Sequence, residues 1–410
     1  MPDAPFSAPL PPDLLPRRRD GVIEFPVHHV RGGTSTGLVL HDRVAPADRA
    51  LREELLRHLM GVPLSGTLPG NRQLTGLGRS ITTSNKVFFA DMERDGTPRL
   101  VATFAQLAAD TAAIDWSVNC GNMTAALPLW ALDTGMVARA EAGRFDLDIR
   151  NTNTGVITRA RMRFRPDGRA EDVAIPGVDG SFPGVDLFLS NPVGAKTGKL
   201  LPTGHVTDRA AGVTVSCLDV AMPVVIARAA DFGHRADEPI EAMESDRALM
   251  DALRAMWVEA GLAMGLTAGD GHRLTAEELA RSQTIPKVCL VGPPTNGGHL
   301  AARYFTPQSG HRSMAVSGAC CLAVAALVPG TIAHQEARGL PALGPEFTET
   351  PVGIENPAGI LATTVEARAG SAGIEVRGAA YARSTQILLR GHTPLYRASA
   401  ALEAALAAVA

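Results

Sequence analysis

Two segments about two hundred residues apart constrain the fold most. One is Asn122-Met-Thr-Ala-Ala-Leu-Pro-Leu-Trp-Ala-Leu, ending near Gly135; the other is Ala319-Cys-Cys-Leu-Ala-Val-Ala-Ala-Leu, ending at Pro329-Gly330. Both read as helices that are apolar all round, so each must be buried on every side. Each follows a small-residue turn, Asn119-Cys120-Gly121 in one case and Val316-Ser317-Gly318 in the other. This spaced self-similarity is a weak internal repeat. It predicts an α+β chain of two similar halves, each wrapping strands around one central helix.

The rest of the 410-residue chain fits that plan. Short apolar, β-branched runs predict strands at VIEFPVHHV, LVLHD, KVFFA, RLVATF, DLDIR, VTVSCLDV, PVVIARA, KVCLV, ILATTVEA, IEVRGAAYA and TQILLR. Amphipathic helices are predicted over Asp48–Met60, stopped by Gly61, and over Glu241–Gly265, with a small-residue helix over Ala398–Ala410. The Gly- and Pro-rich stretch GVDGSFPGVD (177–186) marks a boundary. Residues 1–20 are expected to form a flexible arm with Arg17-Arg18-Arg19 solvated.

Composition excludes several function classes. A formal net charge of -3 offers no field for nucleic acid or an acidic membrane. No run of eighteen apolar residues predicts a membrane span, and the N-terminus lacks the apolar core of a signal peptide. Aromatics are 4% of the chain, so its cores must be built from aliphatic side chains. Five cysteines without a C-x-x-C argue against a disulfide framework or a zinc ribbon, and point to the cytoplasm.

Two residues stand out chemically. Cys120 immediately precedes the first central helix, where a thiol acquires a lowered pKa and serves as base or nucleophile. Polar Asn119 and Asn122 flank it; the bland alternative is a buried packing residue, the reading given to Cys217, Cys289, Cys320 and Cys321. Lys86 closes the polar run Thr82-Thr83-Ser84-Asn85-Lys86 and leads into an apolar strand. Such a lysine is either solvated or a base tuned by partial burial. GAKTGK (194–199) is one residue short of a phosphate loop and has Leu200 where Ser or Thr is needed. No H-E-x-x-H exists, and His28-His29 on a strand point to opposite faces.

The stretch RGGTSTG (31–37) fits the G-x-S-x-G pattern of a nucleophile elbow, with Ser35 as the nucleophile. An elbow turns from strand into helix, whereas LVLHD reads as a second strand. A Gly-rich hairpin whose backbone N–H groups meet a carboxylate fits that context better. A serine hydrolase and a non-catalytic carboxylate-binding protein stay open as alternatives.

Together RGGTSTG, TTSNKVFF, NCGN, NTNTG (151–155), KLLPTG (199–204), LDVAMPVV, IPKVCLV and NGGHLAARYFTPQSGHRSMAVSGA resemble one family, in the family's order from Arg31 to Ala319. It comprises 2-methylaconitate isomerases, 4-oxalomesaconate tautomerases and aconitate Δ-isomerases, similar in fold to diaminopimelate epimerase. The resemblance implies two pseudo-symmetric domains, each a curled, mostly antiparallel sheet around a central helix. These would span 21–183, completed by a C-terminal strand near 384–396, and 184–383, with the active site between them.

It further implies an allylic isomerase without metal or organic cofactor, moving a C=C bond by a 1,3-proton shift in an aconitate-like di- or tricarboxylate. Lys86 and Cys120 fall on the family's acid/base positions. Gly33, Thr34, Ser35, Ser84, Asn85, Gly121, Asn122, Ser317 and Gly318 are implied substrate contacts, and Arg303 and His311 carboxylate partners. The small acid is the expected partner, with no nucleic acid and no membrane, and with a homodimer as the expected assembly. This chain departs from its relatives in having Ser317 where epimerases of this fold carry a second cysteine. It also has Thr36 where many members carry lysine, and Gly78-Arg79 where they carry Gly-Gly.

Overall fold

The computed structural model describes residues 9–81, 84–117, 119–138, 143–371 and 373–410. The first eight residues of the expected arm, and Thr82-Thr83 of the polar run, lie outside the described residues. The chain divides into two compact units: the described residues up to Leu187 together with Arg383–Ala410, and Phe188–Ala382.

The first unit holds β1 (Arg17–Arg19), β2 (Val22–Gly32), β3 (Ser35–His41), α1 (Arg49–Met60), β4 (Lys86–Met92), β5 (Arg99–Leu107), β6 (Ile114–Asp115), α2 (Gly121–Thr124), α3 (Leu127–Asp133), β7 (Gly143–Asn151), β8 (Ile157–Phe164) and β9 (Asp172–Ala174). β10 (Ser181–Ser190) carries the chain into the second unit. There follow β11 (Asp208–Ala210), β12 (Val213–Val220), β13 (Met222–Arg228), α4 (Ile240–Ser245), α5 (Arg247–Ala263), α6 (Ala276–Arg281), β14 (Lys287–Gly292), β15 (Leu300–Thr306) and β16 (Ser309–Gly310). The unit ends with α7 (Val316–Leu327), α8 (Ile332–Glu336), β17 (Thr348–Asn356), β18 (Gly359–Gly370) and the start of β19 (Gly373–Pro394). α9 (Ala400–Ala407) closes the chain.

The two units repeat one topology. In the first, β2–β3 is an antiparallel hairpin, α1 crosses to β4 parallel to β3, β4–β5 is antiparallel, and β7 returns parallel to β5 before pairing with β8. In the second, β12–β13, the crossover to parallel β14, antiparallel β15, parallel β17 and antiparallel β18 follow the same order. The fold is therefore α+β, with a curled, mostly antiparallel sheet and a central helical segment in each unit, as the repeat predicts.

Each sheet buries two faces. In the first unit Val27, Leu38, Leu40, Val87, Phe89 and Ala105 point outward, onto α1 and α9. In the second, Val225, Val288, Leu290, Ala301 and Phe305 do the same beneath α4, α5 and α6. The opposite faces cover the central helices. α7 lies against β12, β13, β17 and β18, and its residues from Gly318 to Leu327 are all buried. No described helix is long and apolar enough to cross a membrane.

Helix ends follow local chemistry. Asp48 accepts a bond from Leu51 N at the start of α1, and Gly61 closes it in the left-handed conformation, φ 69°. Two expected helices are broken. The first central segment splits into α2 and α3 because Pro128 has no N–H for the Thr124 carbonyl and disfavours helical geometry before it. The long helix expected over 241–265 splits at Asp246, which takes an extended conformation and caps α5 through Leu249 N. Conversely, Val316-Ser317-Gly318 is the first turn of α7 instead of a turn before it. The runs IEVRGAAYA and TQILLR form one 22-residue strand, β19. The arm reading is corrected from residue 9 onward: Arg17–Arg19 pair with β2, Arg17 bonds Glu24 at 2.6 Å and Arg18 bonds Glu403 at 2.9 Å.

Candidate active site

The RGGTSTG stretch forms the β2–β3 hairpin, with Gly33 at φ +53° in its turn. Its glycines are required by close packing. A Cβ on Gly32 would stand 2.3 Å from the Asn122 carbonyl oxygen, and one on Gly37 only 2.1 Å from the Lys86 carbonyl oxygen. One end of the hairpin thus lies against the first turn of α2, and the other against the start of β4. Arg31 locks the turn by donating to the Gly33 carbonyl at 2.8 Å. Thr34 accepts from Asn122 Nδ2 at 3.0 Å, and Asn122 Oδ1 accepts from Arg383 Nε at 2.9 Å.

Ser35 is 2% exposed and opens β3, which runs on to His41. A strand follows where an elbow demands a helix, so the hydrolase reading of Ser35 is set aside. Thr36 turns to the opposite side of β3 and donates to Ser84 Oγ at 2.9 Å.

Lys86 is the first residue of β4. Val87 and Phe89 enter the outer core, so Lys86 and Phe88 face the central-helix side. Its ammonium donates to Gln106 Oε1 at 2.9 Å and stands 5.6 Å from the centre of the Phe104 ring. Gln106 Nε2 in turn donates to the carbonyls of Asn85 and Leu107, at 2.9 and 3.1 Å. Those two acceptors fix the amide so that its oxygen faces Lys86. The lysine is therefore held by a neutral oxygen, and among the described residues it forms no ion pair with a carboxylate. Asn85 differs from the expectation of a ready substrate donor. It is 1% exposed, neither atom of its amide has a partner among the described residues, and Gly78 packs against it. Arg79 is exposed; burial first, and then the Arg79 charge, lowers the pKa of His29 to about 4.

Cys120 stands at the N-cap of α2, half-buried, with its thiol making no cap bond. Its carbonyl accepts from Thr124 N at 2.9 Å and Thr124 Oγ1 at 3.0 Å. α2 has four residues, so the charge bias of a long helix is replaced by the open N–H groups of one turn, at Gly121 and Asn122. The other cysteines are buried. Burial raises the pKa of the Cys217 thiol to about 12 and pushes those of Cys289 and Cys321 well up, which leaves them inert.

In the second unit, Ser317 and Gly318 lie in the first turn of α7. A Cβ on Gly318 would meet the Tyr304 ring at 2.2 Å. His311 packs edge-on against Tyr304, with ring centres 5.9 Å apart, and its Nδ1 accepts from Ser313 N at 3.0 Å. Its proton therefore sits on Nε2. Arg303 is placed apart from this group. Its neighbours Ala301 and Phe305 belong to the outer core, whereas Tyr304 faces α7. Arg303 Nε donates to the Glu238 carbonyl at 2.5 Å, with the charges of Asp237, Glu238 and Glu355 close by. That environment is already acidic, so Arg303 acts as a structural cation and leaves the set of carboxylate partners.

The near-miss phosphate loop also resolves structurally: the N–H groups of Lys196 and Thr197 each hold Asp219 Oδ2 at 2.7 Å. Among the described residues, no group of three or more His, Cys, Asp or Glu is placed to hold a metal ion. Two participants escaped the sequence reading. Gln106 is the cross-strand partner of Lys86, recoverable only once the β4–β5 register is known. Arg383 reaches Asn122 from 261 residues away and leaves no local signal.

Comparison with known proteins gives a consistent result. The family model described as PrpF protein matches residues 22–395. The 4-oxalomesaconate tautomerase of Pseudomonas putida is 32% identical over 375 residues, covering 90% of this chain and 96% of that protein. The (4E)-oxalomesaconate Delta-isomerase of a Novosphingobium species (strain KA1) is 31% identical over 356 residues, covering 86% and 93%. A crystal structure of methylitaconate-delta-isomerase superposes with a TM-score of 0.75 at 26% identity, covering 93% of this chain and 97% of that one.

Proposed function

The chain belongs to the PrpF protein family, and on that premise we propose how it works as an isomerase of carbon–carbon double bonds. Its substrate is an unsaturated di- or tricarboxylate of the aconitate or oxalomesaconate kind. Lys86 and Cys120 form the acid/base pair. One takes a proton from the carbon activated by the conjugated carboxylate or carbonyl, and the other returns a proton two carbons away, so the double bond moves. The N–H groups of Gly121 and Asn122 hold the negative charge of the dienolate that forms in between.

The observation that carries this reading is the RGGTSTG hairpin. Its Gly32 end abuts the turn that Cys120 caps, and its Gly37 end abuts the backbone of Lys86. One rigid device thereby fixes both groups, which is what proton transfer between fixed carbons needs. Gln106 holds the lysine in place through a neutral amide oxygen.

The test is proton NMR in D₂O with aconitates, methylaconitate and oxalomesaconate. Wild type should shift the double bond of at least one acid and introduce deuterium at carbon. Lys86→Ala and Cys120→Ser should each lower turnover by about 10²–10⁴-fold with the melting temperature kept. Wild-type rates in both variants would refute the assignment. Tight binding of these acids with no isomerisation would instead support a carboxylate-binding protein on this scaffold. Cytoplasmic location and a homodimer belong to the same reading, checked by fractionation and light scattering.

A further inference from the structure

Lys287 is the topological counterpart of Lys86. Each is the first residue of the strand that follows its unit's crossover helices and runs parallel to the preceding hairpin strand, β4 beside β3 and β14 beside β13. Lys86 has Gln106. Lys287 is 7% exposed, and among the described residues its ammonium has no hydrogen-bond or ion-pair partner. A buried cation without an anion is costly, and a bound anion would offset that cost.

The surroundings of Lys287 offer donors. Val288 and Leu290 point to the outer core. Lys287 therefore shares with Cys289 the face of β14 turned towards α7. On that face Cys289 pairs with Tyr304. His311 packs on Tyr304 and is close enough to feel the Lys287 charge, which adds to burial in keeping the imidazole neutral. Its Nε2–H is then a donor. The hydroxyls of Tyr304 and Ser317 both give their protons to the Met222 thioether, at 3.3 and 3.2 Å, a weak acceptor that a carboxylate oxygen displaces. The twelve-residue helix α7 begins at Ala315 with no side chain capping its first N–H groups. An imidazole N–H, two hydroxyls and an open helix start thus lie around Tyr304, with the Lys287 charge in reach of His311, and the acceptor the two hydroxyls now use is a sulfur.

We propose that Lys287, with His311, Ser317 and the first turn of α7, forms a carboxylate-binding subsite in the second unit that takes a carboxylate group of a di- or tricarboxylate. This rests on the isomerase reading for the identity of the ligand, but not for the existence of the site. Lys287 is a binding residue here; proton transfer is assigned to Lys86 and Cys120.

The experiment measures equilibrium binding of propane-1,2,3-tricarboxylate, a saturated acid with no double bond to move, by titration calorimetry. Wild type is compared with Lys287→Met, Lys287→Gln and Lys287→Arg, each checked for an intact melt. Loss of a charge-assisted bond should raise Kd about 10–100-fold in the Met and Gln variants, with Arg restoring most of the affinity. In turnover of an unsaturated tricarboxylate, KM should rise with kcat changed less than about threefold. Unchanged Kd in folded Met and Gln variants would overturn the proposal, as would a wild type that binds no tricarboxylate. Loss of kcat with unchanged Kd would also overturn it, by making Lys287 a proton-transfer group. A wild type that binds the probe but isomerises no acid would count against the function above, while a binding defect in Lys287→Met would still support the subsite.

Discussion

Gly32→Ala offers the sharpest test of how the hairpin sets the chemistry. Gly32 has no left-handed φ, so alanine adds a methyl group without backbone strain at its own position. That methyl would lie 2.3 Å from the Asn122 carbonyl oxygen and 3.0 Å from Met123 Cα, both backbone atoms of α2. Since Cβ atoms hardly ever approach closer than 3.0 Å, the two elements must separate by at least 0.7 Å. Overpacking of this kind costs about 1–3 kcal/mol, a fall in melting temperature of about 2–12 °C for a unit of this size. The catalytic effect should be larger, because α2 carries Cys120 and the Gly121-Asn122 donors. A displacement near 1 Å at a reacting group costs about 10²-fold in rate. The assay is kcat/KM by NMR beside a thermal melt, with Gly391→Ala as control. Gly391 pairs with Val27 in the same sheet and has open space where a Cβ would go. Wild-type kcat/KM in Gly32→Ala, with or without a lower melting temperature, would refute the claim that hairpin packing places Cys120.

Three further outcomes follow. His29 is neutral in the folded protein, its pKa lowered from 6.5 to about 4 by burial and then by Arg79. The unfolded chain takes up its proton first, so His29 contributes stability above pH 6.5 that is lost as pH falls from 6.5 to about 4. Urea midpoints measured across that window should drop with acid, and His29→Gln should flatten the drop. An unchanged slope would reject the role given to His29. In native protein, iodoacetamide should label Cys120 alone among the five thiols, because the other four are buried; equal labelling of a second cysteine would contradict that packing. Arg303→Met should cost about 1.5–3 kcal/mol of stability through the lost bond to the Glu238 carbonyl. It should leave KM within about twofold, and a large KM increase measured on the folded variant would return Arg303 to the carboxylate partners.

Which parts of this molecule could be read from sequence depends on whether the deciding force is local. α1 was legible to its last residue because its cap, its apolar period and its terminal glycine all lie within fourteen residues. The breaks at Pro128 and Asp246 are also local: a missing N–H and a capping carboxylate override an apolar period that runs on through both. RGGTSTG shows the opposite case. Its serine spacing suggested a nucleophile, but its glycines answer to the backbones of Asn122 and Lys86, about ninety and fifty residues away. Arg303 and Lys287 sharpen the point. Both are cations in strands of one sheet, and strand alternation says only that neighbouring residues face opposite ways. Which face holds the central helix is settled by α7, and that choice puts Arg303 among carboxylates and Lys287 among donors. Charge and residue type therefore mark candidates, and the register of a strand against its helix decides which candidate meets a ligand. For the same reason the Thr36 departure says less about specificity than its position in the motif suggested. Its side chain leaves the face that carries Lys86 and spends its hydroxyl on Ser84.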